Sequence, residues 1–201
     1  MTFAVMSSSQ AAGDADQGAS KAATCIACHG VNGNSVNPSW PSLAGQHESY
    51  IAATLEAFKQ PLGSDNQTAE GGRYDVVMSG QTLALNEQDM ADLGAYFAAQ
   101  KMAGKVSDPS LVAAGERLYR GGNKEAGVSA CIACHGPSGR GNPPAGYPSV
   151  AGQHAVYTAK QLTDYRSAAR KSDDGQIMRS VSERLTDDEI KAVAAYMQGL
   201  R

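Results

Sequence analysis

Aromatic side chains are scarce in this chain: 6% of 201 residues, with one tryptophan and three phenylalanines. Two halves of about 100 residues, so thinly supplied, bury a low fraction of their surface. Each half is therefore expected to need a staple such as a metal or cofactor. No run of 18 apolar residues occurs, so no α-helical membrane span is expected. No Lys or Arg precedes Lys21, and the apolar patch Phe3 to Met6 is very short, which excludes a complete secretory signal. Residues 1–12 read either as the tail of a signal, with Ser9-Gln10-Ala11 as its cleavage site, or as a disordered extension. Alternating patterns of the kind that mark hairpin strands are also missing. Finally, no cysteine lies outside two short segments, which hold Cys25, Cys28, Cys131 and Cys134.

Those segments are identical. "CIACHG" stands at 25–30 and again at 131–136, and the likeness extends well beyond it. "WPSLAGQHESY" at 40–50 answers "YPSVAGQHAVY" at 147–157, and "AYF" at 95–97 answers "AYM" at 195–197. Pro38 and Pro144 each follow the motif histidine by nine residues. The order of landmarks is the same in both halves, so two tandem all-α domains are expected, at 13–104 and 105–201. After each "AGQH", Tyr50, Ile51, Thr54, Leu55 and Phe58 share one helical face, matched by Tyr157, Gln161, Leu162 and Tyr165. A final helix carries Met90, Leu93, Gly94 and Phe97, matched by Ile190, Val193, Ala194 and Met197. Asn86 with Asp89, and Thr186 with Glu189, read as capping boxes at its start. The linker is placed at 101–110, with Pro109 opening the next helix.

Charge divides unevenly. Residues 1–104 hold 4 Lys+Arg against 10 Asp+Glu, a net of -6, and residues 105–201 hold 13 against 10, a net of +3. Such polarity suits electrostatic steering of partners, although a charged face is often only a solvated one.

C-x-x-C-H is the attachment pattern of c-type haem. Two thiols add across the two vinyl groups of a porphyrin, so they must lie on one short helical turn. The adjacent histidine then presents its imidazole to the iron, as His29 and His135 would here. A thioredoxin-like pair would follow a strand in a βαβ unit, and none is visible. A four-thiolate zinc site would leave both histidines unexplained. Candidates for the second axial ligand are methionine, histidine or none. Met90 and Met197 fall on the apolar face of the final helix, Met102 has no counterpart, and Met1 and Met6 are terminal. Met78 and Met178 remain, at matched loop positions seven residues before Leu85 and Leu185. The rivals are His47 and His154, which also match each other but read as helix-start residues.

With "CIACHG", "PSLAGQH", "VVMSGQ", "QDMADLGAYF", "LYRGG", "YPSVAGQH", "QLTDYR" and "IMRS" taken together, the chain resembles the dihaem cytochrome c4 family from about residue 12 to the end. That resemblance implies two covalent haem c groups ligated by His29 with Met78 and by His135 with Met178. It implies that the carbonyls of Pro38 and Pro144 accept from the two histidines, and that the haem propionates face each other across the domain interface. Trp40, Gln46, Tyr147 and Gln153 would line that edge, or serve as ordinary core and cap residues. The implied activity is a soluble, periplasmic carrier passing single electrons from a quinol-oxidising complex toward a terminal oxidase. Peripheral membrane association stays open. The alternatives are a haem-bearing acceptor subunit of a dehydrogenase complex, or a dihaem peroxidase with one open iron.

Overall fold

The structure, a computed structural model, describes residues 12–63 and 67–201. All of the N-terminal segment read as a signal tail or extension, except its last residue, lies outside the described residues. Among them are ten α-helices, five in each half. The first half holds α1 (Ala15–Lys21), α2 (Ile26–His29), α3 (Glu48–Lys59), α4 (Val76–Thr82) and α5 (Glu87–Ala98). The second repeats the order with α6 (Pro109–Gly121), α7 (Ile132–His135), α8 (Ala155–Arg166), α9 (Ile177–Ser182) and α10 (Asp187–Gly199). Short 3-10 turns cover Val31–Gly33, Pro143–Ala145 and Asp174–Gln176. Only isolated β-bridges occur among the described residues, so the all-α expectation holds.

The caps form as the sequence predicts. Asn86 accepts from the Asp89 N–H while the Asp89 carboxylate accepts from the Asn86 N–H, and Thr186 and Glu189 exchange the same pair. Pro109 is the first residue of α6, with Asp108 as its cap. Met90, Leu93 and Phe97, and their counterparts Ile190, Val193 and Met197, are all buried. Helix α1 was not legible in the sequence, because its seven residues carry no apolar stripe. It forms through the Asp14 cap and through packing on α5.

That packing is the same in both halves. Helix α1 crosses α5 at Gly18, and α6 crosses α10 at Gly115. A β-carbon at Gly18 would stand 2.0 Å from the Asp92 carbonyl oxygen, and one at Gly115 would stand 2.1 Å from that of Ala192. Only a residue without a side chain permits this approach. The cores differ in size. The first centres on Ala22, Ile51, Leu93 and Phe97. The second gathers nine buried residues, among them Tyr119, Leu162, Val193 and Tyr196. The first half adds a polar clamp instead. Asp92, 2% exposed, takes Lys21 Nζ at 2.5 Å, the Asp14 N–H at 2.9 Å and Gln88 Nε2 at 2.8 Å. The Lys21 ammonium, with those two further donors, holds the Asp92 carboxyl down at about 2.

Two predictions follow from this packing. Gly115→Ala gains helix propensity of about 1 kcal/mol, but the clash with backbone outweighs it, for a net loss of roughly 1–3 kcal/mol. Chemical denaturation checks it, and a variant as stable as wild type would contradict the close crossing. A depressed carboxylate stabilises above its unfolded value near 3.9, and that stabilisation disappears as pH falls through about 2. The first half should therefore lose α1 docking in that window. Asp92→Asn should show the loosening already at neutral pH, measured by amide exchange in α1, with exchange in α6 unchanged.

Candidate functional site

Each hexapeptide folds as one helical turn. Cys25 caps α2 and His29 ends it, with the His29 N–H donating to the Cys25 carbonyl at 2.9 Å. Cys131 and His135 repeat this in α7, also at 2.9 Å. Two cysteines and one histidine are thus gathered on a single turn in each half. All four cysteines are partly buried and none forms a disulfide. Cys25 packs against the first core and Cys131 against the second. Burial raises the Cys25 thiol and pushes that of Cys131 up to about 11.

The imidazoles turn inward and are buried. His29 Nδ1 lies 2.8 Å from the carbonyl oxygen of Pro41, and His135 Nδ1 lies 2.9 Å from that of Pro148. A carbonyl only accepts, so each Nδ1 carries the proton and donates. Each Nε2 is then left unprotonated in the neutral ring, free to coordinate a metal. Burial is the main cause that lowers both pKa values, against the opposing carbonyls, and Arg73 lowers that of His29 further. These acceptors correct the expectation for Pro38 and Pro144. Both are exposed: Pro38 lies in a turn, and Pro144 in the turn Pro143–Ala145. The chain returns to the histidine only at "WPS" and "YPS". Pro41 and Pro148 share the 107-residue offset of that longer match, which was the available signal.

Met78 and Met178 lie not in loops but in the first turns of α4 and α9. Asp75 caps α4, accepting from the Met78 N–H at 3.1 Å. Met178 packs against the second core. Its neighbour Arg179 is bound to Asp173 at 2.7 Å and, across the halves, to Glu70. His47 and His154 occupy the N-cap positions of α3 and α8, as the helix-start reading has it, and neither side chain makes a capping hydrogen bond. His154 Nε2 donates to the Ser35 carbonyl at 2.8 Å, a contact between halves. The Nε2 of His47 is buried without a hydrogen-bond partner.

Gln46 and Gln153 reach across the interface. Gln46 spans the backbone of Ser149, donating to its carbonyl at 2.8 Å and accepting from its N–H at 3.0 Å. Gln153 does the same to Ser42, at 2.8 and 2.9 Å. Tyr147 stands beside the Cys134 thiol, while Trp40 is 43% exposed.

Two arginines were not singled out by the sequence. Arg73 stacks on Phe58, with its guanidinium carbon 4.6 Å from the ring centre, and donates to the Tyr157 hydroxyl at 2.7 Å. Arg170 stacks on Tyr165, also at 4.6 Å, and donates to the Tyr50 hydroxyl at 2.9 Å. Both donate to Gln161 Oε1, at 2.7 and 3.0 Å. Each arginine therefore stacks within its own half and bonds to the other. Arg170 is 3% exposed, and its recorded partners are Ser172, Gln161 and Tyr50, none of them acidic. Their unequal spacing from Met78 and Met178 concealed the pair in the repeat.

The residues fit haem on three counts. Paired thiols share a turn with an imidazole whose Nε2 is available, each half carries a methionine at a matched position, and the buried Arg170 with the half-buried Arg73 suits a ligand that carries carboxylates. Two helical domains built around such turns define a tandem c-type cytochrome. The comparisons agree. The family model described as cytochrome c matches residues 15–101 and 112–201. The chain is 48% identical to the cytochrome c4 of Azotobacter vinelandii over 202 residues, covering 100% of this chain and 95% of that one. It is 36% identical over 182 residues to a thiosulfate dehydrogenase electron acceptor of Thiomonas intermedia, covering 88% and 78%. The crystal structure of reduced recombinant cytochrome c4 from Pseudomonas stutzeri superposes with a TM-score of 0.88 at 46% identity, covering 94% of this chain and 100% of that one. The chain belongs to the cytochrome c4 family, dihaem electron-transfer proteins with two covalent haem c groups. Among the described residues, no helix is long and apolar enough to cross a membrane.

Because Cys131 borders the second core, replacing Cys131 and Cys134 together by Ala should leave that half without haem and largely unfolded. Far-UV circular dichroism should fall by roughly half, with one haem per chain remaining. A haem-free second half that kept its helices would contradict this dependence.

Proposed function

We propose that the chain carries single electrons in the periplasm, from a quinol-oxidising complex toward a terminal oxidase, through two irons each closed by a histidine and a methionine. The observation that supports it most is the committed Nδ1 of His29 and of His135, which leaves one coordinating nitrogen in each half. Haem, when bound, supplies reversible one-electron chemistry at iron. Cys25 with Cys28, and Cys131 with Cys134, would tether it in domains spanning 13–104 and 105–201. Met78 and Met178 would close the opposite axial positions, and a thioether there raises the potential relative to a second imidazole. Arg73 and Arg170 would hold the haem carboxylates at the interface, giving a half-buried and a buried guanidinium group the anions they lack. If His29 with Met78 and His135 with Met178 hold the two irons, the chain would leave no iron position for substrate, so no catalytic residue is assigned. The matched methionines argue against a peroxidase for the same reason. Haem is attached on the periplasmic side, which implies export. The acidic first half and the basic second half would dock different partners.

A second reading, acceptor subunit of a dehydrogenase, is supported by the relative from Thiomonas intermedia that bears that description. Copurification with a dehydrogenase subunit, or rapid reduction by one, would favour it over the quinol-linked role.

The test of the ligand set is the far-red spectrum of the ferric protein. Native protein should show the weak thioether-to-iron charge-transfer band. Met78→His and Met178→His should each remove about half of it and lower the potential of one haem only. A native protein without the band, with high-spin features and rapid carbon monoxide binding when reduced, would overturn the carrier in favour of an enzyme.

A further inference from the structure

The contacts of Gln46 and Gln153 join directly to those of the histidines. The Pro41 carbonyl, which accepts from His29 Nδ1 at 2.8 Å, and the Ser42 N–H, which donates to Gln153 Oε1 at 2.9 Å, belong to one peptide group. The Pro148 carbonyl, which accepts from His135 Nδ1 at 2.9 Å, shares its peptide with the Ser149 N–H, which donates to Gln46 Oε1 at 3.0 Å. Each glutamine is locked in place. Its amide nitrogen donates to the next carbonyl, at 2.8 Å in both halves. Its oxygen also accepts from the N–H of the following histidine, at 2.9 Å from His47 and 3.0 Å from His154. The chain of bonds thus runs from the imidazole of one domain, through one peptide, to a side chain of the other domain, and does so in both directions.

We infer that Gln46 and Gln153 are crossed positioning residues, each setting the electron-donating strength of the histidine in the opposite domain and so the reduction potential of the opposite haem. The inference rests on His29 and His135 being the iron ligands. A peptide that donates through its N–H gains negative charge on its carbonyl oxygen, because hydrogen bonds in series polarise one another. That oxygen then draws more strongly on the imidazole Nδ1–H. The ring becomes more basic at Nε2 and favours the ferric state. Gln153 therefore holds down the potential of the first-domain haem, and Gln46 that of the second.

The test uses the full-length dihaem protein with Gln153→Met and Gln46→Met, near-isosteric changes that remove both polar groups. Domain-resolved midpoint potentials would be read from the paramagnetically shifted methionine methyl resonances during a redox titration. Gln153→Met should raise the first-domain potential and leave the second unchanged, and Gln46→Met should do the reverse. Gln153→Glu, which keeps an oxygen opposite the Ser42 N–H, should bring the first-domain potential back to the wild-type value or below. A shift in the substituted residue's own domain, equal shifts in both domains, or no shift would overturn the relay. So would Gln153→Glu behaving like Gln153→Met. The far-red band separates the two readings: full intensity without the crossed shift removes the relay and leaves the ligands standing. Amide exchange in the unaltered protein gives a check that needs no variant. The Ser42 and Ser149 N–H groups should be as protected as the cores of α5 and α10, and fast exchange of either would overturn the relay.

Discussion

The hydrogen bond from a buried imidazole to a proline carbonyl is the fixed point of this structure. It requires the histidine to end a single helical turn, and Cys25 and Cys131 begin those turns. It requires the chain to leave that turn, reverse and come back with a carbonyl aimed at the ring. The reversal is held by Gly33 and Gly139, whose carbonyls each accept two backbone N–H groups from the returning segment. Both have positive φ, and a β-carbon on Gly33 would meet the Phe97 ring at 2.8 Å. The segment that returns is the one that enters α3 or α8, so ligand orientation and helix placement come from the same few residues. A ring held in this way cannot rotate or change tautomer without losing a buried bond. An iron centre whose ligands stay put on oxidation suits electron transfer.

The interface has an unusual charge arrangement. Arg73 reaches across it to a hydroxyl and an amide oxygen, and Arg170 to a hydroxyl. Lys105 adds a third cation, placed on Ser42 Oγ at 3.0 Å and the Gly152 carbonyl at 2.7 Å, with its pKa lowered by burial. Arg170 is buried and Arg73 and Lys105 are half-buried; cations withdrawn from water without acidic partners are costly, and hydroxyl dipoles offset only part of that cost. Anionic groups brought in with the cofactor would offset the rest. On that argument the cofactor completes the contact between the domains as well as each separate core. The two halves are then a poor choice for separate expression, even though each carries its own motif and helices.

Most of the fold could be read because the chain repeats itself. Helices α3, α5, α8 and α10, both capping boxes and the proline start of α6 follow from periodicity and end signals that occur twice. The motif turns were legible for the same reason. What escaped was whatever the repeat does not mark or depends on pairing between halves. Helix α1 is short and exists by docking. Tyr50 and Tyr157 looked like members of an apolar face, yet their hydroxyls receive arginines from the other domain. The backbone partners of Gln46 and Gln153 lie more than 100 residues away, beyond what either reading of these residues, haem edge or cap, could specify. The resemblance implies Pro38 and Pro144 as the acceptors, and the carbonyls of Pro41 and Pro148 take that place because the chain turns back to the histidine only after a 3-10 turn.

Duplication gives two equivalent sites, and the departures from it make them unequal. The segment carrying Met178 is anchored on both sides. Arg179 joins it to Asp173 and to Glu70 of the first domain, and Met178 itself packs on a nine-residue core. The segment carrying Met78 has the Asp75 cap, and before it Arg73 reaches Tyr157 and Gln161 of the second domain. Its neighbours Tyr74, Val76, Val77 and Leu83 are exposed, and the core beside it is the smaller one. Helix α4 therefore has less packed against its outer face than α9. The two centres share one set of residue types. Their difference comes from the ion pairs and packing around them.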